Sequence, residues 1–271
     1  MLSSFTYLVP RTRSALHEML SEHGQKARLL AGGTDLLVNI RNGVMSPEFV
    51  INVKKIGEFG GITYDEGEGL TIRPSVTINE VLRNKEVQNR FPLLAICAHD
   101  LASYQIRNRA TVIGNVVNAS PCSDMAPALL CLDAKAIVSS KAGAREVSFR
   151  EFFVGVKKTV LKPEEILEQI VIPPQMKGAR GSYHKLKRIN GHDLGIVGVA
   201  LMRHDGVLRL GISSAAPTPV FVGDLKETDS LETVTAAAMK AISPISDVRC
   251  SKEYREYMTQ VFIKRLYEEV K

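Results

Sequence analysis

Apolar and polar positions follow two different spacings along this chain, which predicts a mixture of strands and helices. Residues 5–9, 28–31 and 49–53 are short apolar runs of the kind that forms buried strands. Between the first two runs, apolar residues recur at helical spacing from Ser14, a candidate N-cap, to Gly24, a candidate stop. We therefore expect strand, helix and strand to follow one another at the amino terminus.

The middle of the chain mixes a hairpin pattern with helical ones. A turn-rich stretch, 65–69, separates the apolar runs 62–64 and 70–73, which predicts a hairpin. Residues 111–123 are rich in small residues, asparagine and glycine, and are expected to form an ordered loop. The remaining helices and strands of this region are expected at 77–82, 92–103, 134–139 and 166–172.

A change of composition at 172–178, with two prolines and a glycine, predicts a linker. Beyond it the pattern predicts three strands followed by two helices, at 182–187, 196–202, 207–213, 231–242 and 254–270. The turn 204–206, His-Asp-Gly, favours a hairpin between the last two strands. We expect a compact α+β unit with a three-stranded antiparallel sheet.

Composition and charge argue against several classes of function for this chain. The net charge is +6 with no run of like charges, which argues against a nucleic-acid-binding tail. No apolar stretch reaches the ~20 residues that a membrane span requires, and the first residues do not resemble a signal peptide. Because the four cysteines are dispersed and no ligand spacing occurs, we expect no metal site and a cytoplasmic protein with reduced thiols.

The first segment that could carry chemistry spans residues 29–36, where a predicted buried strand runs into Gly32 and Gly33 and a helix follows. Glycines let the backbone approach a bulky ligand, and the free N–H groups of such a turn favour an anion. A tight turn without a ligand is the alternative interpretation. Neither G-x-G-x-x-G nor a P-loop pattern occurs, which disfavours a Rossmann fold and excludes a P-loop.

The second such segment, 107–124, concentrates hydroxyls, amides, a glycine and a carboxylate in a stretch with no periodic apolar face. Its polar groups must bond to one another or to a ligand, and the residues alone favour neither.

These two segments, and others along the chain, resemble motifs of a known family. Ala31-Gly32-Gly33-Thr34 and Thr111-Val112-Ile113-Gly114-Asn115 resemble the flavin motifs, A-G-G-x and T-I-G-G-N, of molybdenum hydroxylase flavoprotein subunits. These are the FAD-binding subunits of xanthine dehydrogenases and aerobic carbon monoxide dehydrogenases. Further similarities follow in the family's order at 119–124, 163–167, 172–173, 183–185 and 249–255.

The resemblance implies a fold and a cofactor. The fold is α+β, with a two-lobed FAD-binding domain of the vanillyl-alcohol-oxidase/PCMH type over residues 1–175, whose lobes meet near 55–60. A smaller α+β domain covers residues 177–271.

The resemblance also implies which residues bind the FAD. The cofactor-binding residues would be Leu29, Leu30, Ala31, Gly32, Gly33, Thr34, Asp35, Leu36, Leu101, Thr111, Gly114, Asn115, Asp124, Leu167 and Lys185. No catalytic side chain and no metal ligand is expected on this chain. The family motif has a glycine where this chain has Ile113, which would be strained if the position requires a positive φ.

The implied function is electron transfer in a heterotrimer, which can itself dimerise. Electrons would come from the [2Fe–2S] clusters of a small subunit, after hydroxylation at a molybdopterin-binding large subunit. FAD would pass them to NAD, a quinone or oxygen. Two alternatives stay open: a free-standing flavin-dependent oxidoreductase, and a non-enzymatic nucleotide-binding accessory protein.

Overall fold

Three larger β-sheets follow one another along the chain in the computed structural model, which describes residues 4–174, 178–189, 191 and 193–271. Each sheet has its own helices and its own hydrophobic cluster. The mixture of separate parallel and antiparallel sheets agrees with the α+β class expected from the sequence.

The amino-terminal lobe is a small parallel sheet. Its elements are β1 (Thr6–Leu8), α1 (Arg13–His23), β2 (Ala27–Leu30), α2 (Leu36–Arg41) and β3 (Phe49–Asn52). The strand order is β1-β3-β2, and Leu16 and Leu20 of α1 pack with Ile51. The predicted N-cap Ser14 was wrong, because Thr12 occupies that position and its Oγ1 accepts a hydrogen bond from Ala15 N at 3.2 Å.

The second lobe is built on a five-stranded antiparallel sheet of order β4-β5-β10-β6-β7. A separate two-stranded hairpin, β8-β9, precedes the central strand β10 in the chain. The strands are β4 (Ile62–Asp65), β5 (Gly69–Ile72), β6 (Lys135–Ser140), β7 (Gly143–Ser148), β8 (Phe153–Gly155), β9 (Lys158–Thr159) and β10 (Ile166–Ile172). The predicted hairpin turn is confirmed: Asp65 Oδ1 accepts hydrogen bonds from the backbone of Gly67 and Glu68.

Seven short helices accompany this sheet. They are α3 (Ile78–Arg83), α4 (Lys85–Arg90), α5 (Pro92–Asp100), α6 (Tyr104–Arg107), α7 (Val112–Val117), α8 (Ala126–Cys131) and α9 (Phe149–Phe152), counted over the residues that the structure describes. Thr77 caps α3 in a capping box with Glu80, at the start of the helix predicted from residue 77. The predicted loop at 111–123 was wrong in its first half, because α7 forms there and buries Val112, Ile113 and Val116.

The carboxyl-terminal unit is an antiparallel sheet of order β11-β12-β13-β14. Its elements are β11 (Arg180–Leu186), β12 (Val197–His204), β13 (Val207–Ser213), β14 (Val220–Lys226), α10 (Leu231–Ala241) and α11 (Lys252–Glu269). The sheet therefore has four strands, and the prediction of three was incorrect. Pro219 and Gly223, both unfavourable in strands, obscure β14 in the sequence.

Both faces of this sheet are covered. Val199 and Leu201 of β12 pack with α10 and α11, whereas Ala200 and Met202 belong to the cluster of the second lobe. At Gly211 of β13 a Cβ atom would lie 2.3 Å from the carbonyl oxygen of Pro127, so α8 can approach this face only because no side chain is present.

The predicted division into domains at residues 175–177 falls on positions outside the described residues and stays a prediction. No helix among the described residues is long and apolar enough to cross a membrane.

Gly211→Ala should destabilise the protein by about 1–3 kcal/mol, since the added methyl group overlaps the backbone of Pro127. Urea unfolding measures the change. Gly60→Ala is the matched control, because its Cβ would meet its nearest neighbour, Gly57 O, at an ordinary 3.8 Å. Equal stability of the two variants would show that the close packing of α8 contributes nothing.

Candidate functional site

The first bend, residues 29–36, lies at the carboxyl edge of the parallel sheet, where ligands bind in open sheets of this kind. None of its residues is fully buried, so the segment is accessible. Gly33 has φ +78°, a backbone conformation that suits glycine and few other residues. The first bend is thus shaped as a turn with its backbone partly open to solvent.

Gly32 touches the chain that leads into the second bend, residues 111–115. A Cβ atom on Gly32 would lie 2.1 Å from the carbonyl oxygen of Arg109 and 3.0 Å from Cα of Ala110. Two predicted binding segments that are far apart in the sequence are therefore in direct backbone contact, and no side chain separates them.

The second bend is held by its own polar groups. Thr111 Oγ1 accepts a hydrogen bond from Gly114 N at 2.9 Å. Asn115 Oδ1 accepts hydrogen bonds from Ser123 Oγ at 2.6 Å and from Met125 N at 3.3 Å. Asn115 thereby fixes the second bend to the loop that follows α7.

Ile113, the departure from the family motif, causes no backbone strain. It lies within α7, is absent from the residues with positive φ, and is 6% exposed in the core of the second lobe. The isoleucine side chain points into the protein rather than into the bend.

A chain of polar contacts connects the two bends and the β8-β9 hairpin. Asn118 Nδ2 donates to Asp35 Oδ1 at 2.9 Å, and Lys157 Nζ donates to Asn118 Oδ1 at 3.0 Å. Asp35 occupies the N-cap position of α2, but its side chain makes no capping hydrogen bond and accepts one from Asn118 instead. These contacts fix the relative position of the bends.

Asp124 and Lys185, predicted separately as cofactor contacts, form an ion pair. Lys185 Nζ lies 2.8 Å from Asp124 Oδ1, with the side chains 1% and 13% exposed. Burial raises the pKa of Asp124, and the neighbouring Lys185 charge acts in the opposite direction. Neither residue is a solvated surface group, and the pair joins the loop after α7 to strand β11.

Leu101 and Leu167 lie in the hydrophobic core of the second lobe, where they are 5% and 1% exposed. Their contact with a cofactor stays a prediction, as does the role of every other residue assigned to the site.

A second buried network lies where the carboxyl-terminal unit meets the loop after α7. Arg255, 1% exposed, donates to the carbonyl oxygens of Ile196 and Ser214 and lies 2.8 Å from Asp247 Oδ1. Arg249 also pairs with Asp247 and donates to Cys122 Sγ at 3.2 Å. The sequence motif at 249–255 therefore positions backbone segments next to the candidate site.

Sequence reasoning missed one cation beside the first bend, Lys54. Lys54 Nζ donates to Leu30 O at 3.3 Å and to Asn52 Oδ1 at 2.7 Å. Burial lowers the pKa of Lys54, and the charges of Arg109 and Lys55 lower it further. The available signal was that Lys54 closely follows β3, at the same sheet edge as the first bend.

Comparison with known families covers most of the chain. Residues 3–175 match the family described as FAD binding domain in molybdopterin dehydrogenase. Residues 181–270 match the CO dehydrogenase flavoprotein C-terminal domain. The glycine bends lie in the first matched region, and Lys185 lies in the second.

Individual relatives match this chain over almost their full length. The xanthine dehydrogenase FAD-binding subunit of Escherichia coli O157:H7 is 32% identical, over 93% of this chain and 90% of that protein. The carbon monoxide dehydrogenase medium chain of Hydrogenophaga pseudoflava is 29% identical, over 96% and 95%. Among solved structures, reconstituted CO dehydrogenase from Oligotropha carboxidovorans superposes with a TM-score of 0.93 at 27% identity, covering 100% of this chain and 98% of that one.

Lys185→Met should cost about 3 kcal/mol at neutral pH, because it leaves the Asp124 carboxylate buried without its cation. Urea unfolding of the flavin-free chain measures this loss. Lys187→Met is the matched control: its partner Asp100 is 28% exposed, so the loss should be less than about 1 kcal/mol.

The cost of Lys185→Met should also depend on pH. Burial raises the pKa of Asp124, so the folded chain holds this proton more tightly than the unfolded chain. Removing Lys185 raises that pKa further. The difference between variant and wild type should therefore shrink as the pH falls towards the ordinary carboxyl pKa, and a constant difference would contradict the assignment.

Proposed function

Because this chain belongs to the family of FAD-binding subunits of molybdopterin dehydrogenases, we propose that it is the electron-transfer flavoprotein subunit of a molybdenum-containing hydroxylase or dehydrogenase. It is an oxidoreductase subunit and its cofactor is FAD. In the proposed role it takes electrons from the [2Fe–2S] clusters of a partner subunit. It passes them through FAD to a terminal acceptor, which is NAD, a quinone or oxygen.

One observation carries this proposal: the backbone contact between Gly32 and Arg109. It brings the first and second bends together, and each of them bears a motif of the family. The partly exposed backbone of the first bend can offer N–H donors to a diphosphate, and the second bend lies close enough to contribute to the same site.

When bound, FAD supplies the redox chemistry, since a flavin can accept electrons singly and release them as a pair. The residues of this chain bind and orient it. Residues 29–36 and the second-bend residues Thr111, Gly114 and Asn115 would hold the phosphates and the sugar chain. The pair Asp124–Lys185 would present a fixed polar contact, and Leu101 and Leu167 would form an apolar wall.

The proposed partners are a molybdopterin-binding large subunit and a small subunit with [2Fe–2S] clusters. Relatives of this chain bear names such as medium chain and FAD-binding subunit, which describe parts of larger enzymes. They match this chain over nearly their whole length, which supports the same arrangement here.

Gly32→Ala should weaken FAD binding at least about tenfold, because its Cβ overlaps the carbonyl oxygen of Arg109 and forces the bends apart. The visible flavin absorbance of the purified chain, before and after adding FAD, measures binding. Gly57→Ala, where a Cβ meets nothing within 4 Å, should remain yellow. A folded wild-type chain that ignores added FAD would overturn the proposed function.

Isolated from its own cells, the chain should copurify in equal amounts with two other subunits. Mass spectrometry should identify them, metal analysis should find molybdenum, and electron paramagnetic resonance should detect reduced [2Fe–2S] clusters. A chain that purifies alone and oxidises its own substrate would instead favour a free-standing flavin oxidoreductase.

A further inference from the structure

Lys54 lies beside the first bend without an acidic partner, and the charges of Arg109 and Lys55 act on it. Lys54 Nζ makes its hydrogen bonds to neutral oxygens, those of Leu30 and Asn52. In the part of the chain that the structure describes, no carboxylate pairs with Lys54, Lys55 or Arg109. The carboxylate of the first bend, Asp35, bonds to the amide of Asn118 instead.

The location of these charges is specific. Lys54 is half-buried and donates to the carbonyl of Leu30, at the start of the first bend. The backbone of Arg109 touches Gly32, while its guanidinium belongs to an exposed residue. Lys54 follows β3 of the first lobe, whereas Arg109 precedes the second bend in the second lobe, so the two residues meet at the junction of the lobes.

This arrangement is unfavourable without a ligand. Burial lowers the pKa of Lys54, and the like charges of Arg109 and Lys55 lower it further. Uncompensated positive charge at a partly dehydrated site attracts an anion, which relieves the repulsion on binding. Backbone N–H groups can donate hydrogen bonds to a diphosphate, but they carry no net charge to neutralise it.

We propose that Lys54 and Arg109 neutralise the diphosphate of a bound nucleotide at the first bend and so select a cofactor with that group. This inference rests on the proposed function, because it takes the anion to be the diphosphate of FAD. The ligand class is a nucleoside diphosphate, so ADP alone should occupy the site and compete with FAD.

The test uses the full-length chain freed of flavin, with ADP and FAD titrated by calorimetry at low and high salt. Lys54→Gln and Arg109→Gln should each weaken both ligands about tenfold at low salt. The losses should be smaller at high salt, where the charges are screened. Arg109→Gln leaves the backbone contact with Gly32 in place, so it tests the guanidinium only.

Two controls separate charge from structure. Lys54→Arg should restore most of the affinity, since it retains the charge. Lys240→Gln, at an exposed position on α10, removes the same charge elsewhere and should bind ADP and FAD as the wild type does. In urea, flavin-free Lys54→Gln should unfold at the same or a higher concentration than wild type, because crowded positive charge is removed.

The outcomes distinguish this inference from the proposed function. If both glutamine variants bind ADP and FAD like the wild type, the inference is overturned and the proposed function stands. If the lost affinity is matched by an equal loss of flavin-free stability, Lys54 has a structural role and the inference is again overturned. A wild-type chain that binds neither ligand overturns both.

Discussion

Backbone contact between Gly32 and Arg109 is the constraint on which the candidate site depends. The first bend belongs to the small parallel sheet, and the second bend belongs to the helices of the antiparallel lobe. They meet only because Gly32 has no side chain, since a Cβ would lie 2.1 Å from the Arg109 carbonyl oxygen. The hydrogen bonds that join Asp35, Asn118 and Lys157 then hold the two bends next to each other. The candidate site therefore forms only where the two lobes meet.

Buried charges attach the carboxyl-terminal unit to this junction. Lys185 on β11 pairs with Asp124, and Arg249 donates to Cys122 Sγ, so both cross to the loop after α7. Arg255 on α11 binds Asp247 and the carbonyl oxygens of Ile196 and Ser214 within the unit itself. Burying such groups costs desolvation energy, and breaking one pair leaves a charge without a partner. Their strict geometry makes them suited to orienting elements around a site, whereas the apolar clusters supply the bulk of the burial.

In the proposed function, this chain binds the cofactor and does not itself carry out the redox reaction. In that role, the side chains near the bends bind, neutralise and orient FAD, and FAD supplies the redox chemistry. The uncompensated charges of Lys54 and Arg109 fit this division of labour, because a site that repels itself when empty gains most from an anionic ligand. Burial of Cys97 and Cys131 raises the pKa of both thiols, which keeps them protonated and unreactive.

The sequence by itself determined the elements whose signals are local: the helix that starts at Thr77, the stop at Gly24, the Asp65 turn and the strands with regular apolar spacing. It also identified both bends through their motifs. Only the tertiary structure decided that α7 is helical, since Gly114 and Asn115 are poor helix formers and the burial of Val112 and Val116 compensates. It alone paired Asp124 with Lys185 and set Lys54 beside Leu30. Such contacts join residues distant in the chain and depend on how whole elements pack, so they leave no periodic pattern in the sequence.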